Sequence, residues 1–272
     1  MGFSVNTNVG AMAALQSLNA TNKGLETTQS RINTGLKVAS TKDDSASYTI
    51  AQTLRGDLGG LGAVNSSLSR AKSTIDVAVA GAEQISDLLN QMGSKVLEAS
   101  DAGLDADSKA AIAKDVEAIQ SQIKSIVASS DFNGTNLLDA STATIAALKT
   151  AKPTGTPADD TLTVDHQSIE TALGNAWTAT GATMTVDDVD TAKDAMKNVL
   201  SALGSGAREI DSQLAFTSKL SDVIEGGIGN LVDADLAKES AKLQALQVKQ
   251  QLGVQALSIA NQAPQTIMSL FR

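Results

Sequence analysis

The chain has 272 residues, a formal net charge of −9, 42% apolar residues but only 2% aromatic ones, one His and no Cys. The acidic balance argues against a nucleic-acid binder, which needs a basic face to displace counterions. The missing Cys excludes a disulfide framework, Cys-ligated zinc, an iron–sulfur cluster and a thiol nucleophile, and a single His excludes a multi-His metal site.

The length suggests roughly two domains at about 150 residues each. With so few rings, the core must be built from Ala, Leu, Ile and Val, which favour close helix-on-helix contact. In chain order, Met1-Gly2-Phe3-Ser4-Val5-Asn6 has neither a basic nor an apolar signal region, so no signal peptide is expected. No stretch approaches the ~20 apolar residues of a membrane helix, so no membrane insertion is expected. Leu18, Leu25 and Ile32 then fall at intervals of seven, with Leu15 and Leu36 on an alternate row that Asn22 and Gln29 interrupt. That periodicity predicts a helix, broken at Ala39-Ser40-Thr41-Lys42-Asp43-Asp44-Ser45. The glycine-rich Gly56–Gly62 lacks the Gly-Lys-Ser/Thr ending of a phosphate loop and is expected to be a flexible helix start.

From there Leu61, Leu68, Ile75, Ala82, Leu89 and Val96 repeat at sevens, interleaved with Val64, Ala71, Ala78, Ile85, Met92 and Ala99. An unbroken alternation of three and four is the pattern of a long coiled-coil-like helix. Helices of globular domains average about 11–12 residues, so a rod is expected. Ile112, Ile119 and Ile126, alternating with Val116 and Ile123, predict a second rod helix, capped by Asp107-Ser108 after a stop at Asp101-Ala102-Gly103.

Residues 131–186 are rich in Thr, Ser, Gly and Asp and hold Pro153 and Pro157. Phe132-Asn133-Gly134-Thr135 reads as a turn, and Thr161-Leu162-Thr163-Val164 and Met184-Thr185-Val186 as strands of a small hairpin region. Beyond it Val189, Met196, Leu203, Ile210, Thr217, Ile224 and Leu231 repeat at sevens, after a capping box at Thr185 and Asp188. Glu225-Gly226-Gly227-Ile228-Gly229-Asn230 is expected to loosen that helix. The C-terminal segment carries two apolar stripes: Leu236, Leu243, Leu246 and Leu257 on one, Val248, Leu252, Ile259 and Ile267 on the other. Two stripes on one helix imply burial on two sides, only one of which a partner helix of the same chain can cover.

The expected architecture is therefore mainly α: a coiled-coil-like helical rod whose paired N- and C-terminal segments (1–44 with 228–272) form one domain. The rod proper, with its β-hairpin region at 131–186, forms a second domain over 45–227. The rod core is expected at Leu61, Leu68, Ile75, Leu89, Val96, Ile112, Ile119, Ile126, Met196, Leu203 and Ile210.

Chemical motifs are sparse. Asp101, Asp105 and Asp107 lack the glycine and closing Glu of a calcium loop and read as helix caps. Asp187, Asp188 and Asp190 suit the first turn of a helix. His166 beside Asp165 has no nucleophile elbow to serve. No catalytic residue, metal site or cofactor is expected.

Both ends carry a resemblance. Val5-Asn6-Thr7-Asn8, Ala14-Leu15-Gln16-Ser17-Leu18-Asn19, Ser30-Arg31-Ile32-Asn33-Thr34-Gly35-Leu36-Lys37 and Asp43-Asp44-Ser45-Ala46 resemble the N-terminal motifs of bacterial flagellin. Asp233-Ala234-Asp235-Leu236-Ala237-Lys238-Glu239, Ala260-Asn261-Gln262-Ala263-Pro264-Gln265 and Leu270-Phe271-Arg272 resemble the closing segment of that family, and Phe132-Asn133-Gly134 sits where the family has it. The resemblance covers about 1–140 and 185–272. It implies a short flagellin without the outer inserted domains: a structural subunit of the extracellular filament that propels the cell, exported unfolded.

It also implies partners: further copies of itself, an export chaperone on about 230–272, the flagellar export apparatus, and the cap and hook-junction proteins. The family's terminal segments line a central channel and become helical on assembly. Assembly would rest on Leu15, Leu18, Leu25, Ile32, Leu36, Leu236, Leu243, Leu246, Val248, Leu252, Leu257, Ile259 and Ile267. Many flagellins show an innate immune receptor an arginine-rich face, but Leu89-Asn90-Gln91-Met92-Gly93-Ser94-Lys95 has no Arg there, which argues against recognition. Exposed Ser and Thr at about 140–183 suit O-glycosylation. Two other roles fit the pattern: a hook–filament junction protein of the same family, and a secreted coiled-coil binding module.

Overall fold

A computed structural model describes residues 7–139, 144–152 and 155–270, the side chains of 157, 158 and 263–270 excepted. The motif residues Val5, Asn6, Phe271 and Arg272 and the side chain of Ile267 lie outside the described residues. The chain is mainly α-helical. Helix α1 (Val9–Thr34) starts at Asn8, whose side chain accepts from the Ala11 N–H, and stops at Gly35. Gly35 takes φ +71°, the left-handed cap that a side chain resists.

Helix α2 (Ser45–Ala99) follows a connection closed by two aspartates. The Asp43 carboxylate accepts from the Ala39 and Ser40 N–H groups, and that of Asp44 from the Ala46 and Ser47 N–H groups at the helix start. The glycine run Gly56–Gly62 is therefore not a helix start: α2 begins at Ser45 and runs through it. Each interior Gly costs roughly 1 kcal/mol against Ala, but at Gly60 a Cβ would stand 2.9 Å from the Ala151 Cβ, so the small residue admits a crossing segment.

Helix α3 (Ala106–Ser129) is capped by Asp105, two residues before the expected Asp107, through the Ser108 N–H. Among the described residues the polar middle holds two antiparallel pairs. Strands β1 (Asp131–Phe132) and β2 (Thr135–Asn136) flank Asn133 and Gly134, both at positive φ. Strands β3 (Ile145–Leu148) and β4 (Thr161–Val164) pair Ile145 with Val164, and α4 (Pro157–Asp160) lies between them in sequence. Two short helices follow, α5 (Ile169–Leu173) and α6 (Asn175–Thr178).

Met184-Thr185-Val186 is not a strand. Thr185 and Asp188 exchange hydrogen bonds as a reciprocal cap, and α7 (Val186–Val232) starts there, because capping satisfies N–H groups that a lone strand would leave open. The glycines at 226, 227 and 229 do not loosen α7, which ends only at Val232. Helix α8 (Leu236–Leu270) completes the chain.

Contacts group the chain into two compact units, Gly56–Val223 and Met1–Arg55 with Ile224–Arg272, so the division falls inside α2 and inside α7. In the first unit one apolar core gathers Leu68, Ile75, Ile85, Leu89 and Met92 of α2, Val116 and Ile123 of α3, Met196, Leu203 and Ile210 of α7, and Leu137, Leu138 and Ile169 of the connecting region. Leu61, Val96 and Ile112 are buried too, while Ile119 and Ile126 are half-buried beside the Val116, Gln120 and Ile123 row of α3. In the second unit α1 lies antiparallel to α8, and a small core joins Val38, Ala51, Ile228 and Val232.

Candidate assembly surface

Two connections far apart in sequence are stitched together at one end of the α1–α8 pair. The Lys37 and Val38 N–H groups donate to the Val232 carbonyl, and the Ala234 N–H donates to the Gly35 carbonyl. Asp235 caps α8 through the Ala237 and Lys238 N–H groups. Short polar caps thus hold both terminal helices where they leave the small core. The Asp44 carboxyl is kept below its usual 3.8, first by the Ser47 hydroxyl and then by its N–H; the Ser40 N–H does most to keep Asp43 low.

From there the inward faces follow the heptad. On α1 the covered positions include Leu18, Thr21, Leu25, Thr28 and Ile32; on α8 they include Glu239, Leu243, Leu246, Gln250, Gly253 and Leu257. The pairing is close. A Cβ at Gly253 would lie 3.3 Å from Leu18 Cδ1, and one at Gly24 would lie 3.4 Å from Leu246 Cδ1. Polar contacts along it include Asn8 Nδ2 to the Ala260 carbonyl at 2.7 Å, Gln250 Nε2 to Asn22 Oδ1 at 2.8 Å, and Arg31 to Glu239 Oε1 at 3.1 Å. Apolar burial along the pair is thin. Leu25 is buried, but Leu18, Ile32, Leu36, Leu243, Leu246 and Leu257 are only half-buried.

The second row of α8 faces the other way. Val248 is 55% exposed, Leu252 58% and Ile259 69%. Leu236 on α8 and Leu15 on α1 are exposed as well. The pair therefore brings together Leu18, Leu25, Ile32, Leu243, Leu246 and Leu257, and leaves Leu15, Leu236, Val248, Leu252 and Ile259 uncovered. Val9 and Met12 of α1 and Val254 of α8 belong to the uncovered set too, although a search for rows of seven passes over them. Val9 and Met12 stand at three-residue steps before Leu15, a helical spacing that signals a shared face over one short stretch.

Such a surface can bind another apolar surface and little else. His166 is exposed after β4. Among the described residues no three acidic or His side chains come together that could hold a metal. The Gly56–Gly62 run offers no free N–H groups to a phosphate because it is helix interior.

The model of the bacterial flagellin N-terminal helical region matches residues 5–143, and that of the C-terminal helical region matches residues 186–271. Flagellin FljK of Caulobacter vibrioides is 45% identical over 99% of this chain and 98% of its own length. The flagellin of Brucella melitensis is 36% identical over 99% of each. A crystal structure of Bacillus cereus flagellin aligns at 18% identity and a TM-score of 0.35, covering 64% of this chain and 93% of that one.

Proposed function

The chain belongs to the bacterial flagellin family and is a structural subunit of the flagellar filament, and from that premise we propose that the outward apolar rows of α1 and α8 are the surface by which copies assemble. Flagellin relatives over the whole length imply self-polymerisation into an extracellular filament. The observation that carries the proposed surface is the row Val248, Leu252 and Ile259, more than half exposed in a single copy while the opposite row of α8 packs on α1. A contact between this row and a different patch on an identical neighbour is heterologous, and when its rotation does not close it builds an open helix.

The rest of the reading follows from that surface. Residues 1–44 with 228–272 form the filament core, and 45–227 form the helical rod domain. An export chaperone covers the open row within about 230–272 until release, since an unshielded stripe would polymerise before export. A chain without Cys passes the export apparatus with no disulfide to reduce, and meets the hook-junction and cap proteins at the two ends of the filament. The work of the chain is mechanical, with no catalytic step. At Leu89–Lys95 the outward residues are the uncharged Asn90, Gln91 and Ser94, and Lys95 is engaged by Glu98 and Asp115, which disfavours an arginine-reading receptor. Matches at both ends and across the full length favour the filament subunit over the junction protein and the free binding module.

The test replaces Val248, Leu252 and Ile259 together by Ser. Full burial of one such side chain is worth about 1.5–3 kcal/mol, and these are already partly covered, so about 2–4 kcal/mol of subunit affinity is at stake. The critical concentration for polymerisation, read by sedimentation, should rise roughly 30- to 1,000-fold, with the helical signal of the soluble chain unchanged. An unaltered critical concentration would refute the assignment of this surface.

A further inference from the structure

The apolar rows that pair α1 with α8 repeat every seven residues and so do not by themselves choose one alignment. Leu18 faces Gly253; after a slip of one heptad it would face Leu246 or Ala260, apolar again. What does not repeat is the polar set. Arg31 meets Glu239 and Asn22 meets Gln250, each once along the pair.

We propose that the Arg31–Glu239 ion pair fixes the register of the two terminal helices, so that a single alignment of α1 on α8 is populated. A one-heptad slip would set Arg31 against Leu246, or Glu239 against Gly24, and leave a covered charge without its partner. Unpaired charge is the costliest thing a helix interface can hold. A polar contact within a largely apolar seam is known to set helix register for this reason; the Asn22–Gln250 pair is uncharged and half-buried, so breaking it costs less.

The local geometry is poor for a device that only stabilises. Glu239 is buried and its Oε2 has no hydrogen bond; Lys242 Nζ reaches no closer than 3.8 Å. The neighbouring Thr28 Oγ1 and Arg31 Nε are buried without partners too. An ion pair with this many unmet groups does less for stability than an apolar pair of the same volume, but it discriminates sharply between alignments. Register matters here because it sets where along α1 the exposed row of α8 stands, and so how outward residues of the two helices, such as Leu15 and Val248, are placed relative to one another. The proposal concerns pairing within one copy and does not depend on which residues join the copies.

The chain has no Cys of its own, so introduced pairs report alignment cleanly. A Cβ at Gly253 would lie 3.9 Å from the Leu18 Cβ, inside the range a disulfide spans. Three full-length variants share Leu18→Cys and carry Gly253→Cys for the native register, or Leu246→Cys or Ala260→Cys for slips of one heptad either way. Each is assembled with an excess of the parent chain, so that both Cys of a bridge belong to one copy, and oxidised in the polymer in three backgrounds: native, Arg31→Met with Glu239→Met, and Arg31→Glu with Glu239→Arg. The native background should favour the 18–253 bridge at least tenfold over either slipped bridge. The double Met background should reduce that preference to twofold or less while total bridging persists, and the swapped pair should restore it. A preference unchanged by the Met pair would overturn the proposal. So would loss of all bridging in the Met background, which marks a stabiliser rather than a register device, absence of any preference in the native chain, or failure of the swap to restore it.

Discussion

A single carboxylate illustrates how local chemistry sets where an element begins. Asp188 accepts from the Thr185 N–H at 2.9 Å and hydroxyl at 2.6 Å and from the Asn175 amide at 2.8 Å, while its own N–H returns a bond to Thr185 Oγ1. These bonds, the Thr185 hydroxyl foremost, hold its carboxyl below the usual 3.8. A carboxyl whose folded pKa is depressed adds stability at pH above its unfolded value and loses it as pH falls through the folded one. Asp43, Asp44, Asp105 and Asp194 are shifted in the same direction. Thermal unfolding of the soluble chain, followed from pH 7 to pH 3, should be flat to about pH 4 and then fall. Asp188→Asn should make that acid limb shallower and lower the plateau; an acid limb identical to the parent's would remove Asp188 from the account. The capping role of Asp188 was readable beforehand, because a Thr three residues before an acidic partner ahead of an apolar row is a local signature. Which aspartate caps α3 was not readable, since Asp105 and Asp107 are equally placed to begin the same turn.

At the scale of elements the contrast lies between the long helices and the terminal pair. The row from Val64 to Val96 on α2 is covered almost completely, whereas among the described side chains α1 and α8 hide little beyond Leu25, Thr21, Thr28 and Glu239. Short of tertiary packing, helices are marginal in water, and opening energies track buried apolar contact. Amide exchange should therefore be fast along α1 and α8 in the monomer and slow at 64–96. In the polymer the terminal helices should gain protection of at least a hundredfold while 64–96 barely changes. Equal protection of α1 and α8 in both states would contradict the assembly reading. The glycine runs at 56–62 and 226–229 misled the sequence reading at this scale. Glycine weakens a helix by propensity alone, but tertiary contact overrides it, as the crossing of Ala151 over Gly60 shows. The Met184-Thr185-Val186 alternation misled it likewise, because three residues are too few to separate a strand from a capped helix start.

For the molecule as a whole, the unit Gly56–Val223 has a large apolar core drawn from α2, α3, α7 and the connecting region, and none of the described side chains of α1 or α8 belongs to that core. A chain lacking residues 1–40 should keep the cooperative unfolding of that unit and fail to polymerise at any concentration the parent needs. Polymer formed by the truncated chain would show that assembly lies elsewhere.

The sequence by itself determined that the chain is built from long helices, that its two ends carry flagellin motifs, and that α8 has two apolar rows. Each of these is a periodicity or a short motif, legible because residues a turn or a heptad apart share a helix face. Only the tertiary structure decided which row of α8 meets α1, that residues 35–38 bond to 232–234, and that Arg31 finds Glu239. A heptad announces that a face is to be covered but not by what. That choice is made between residues some two hundred positions apart, where no local pattern reaches.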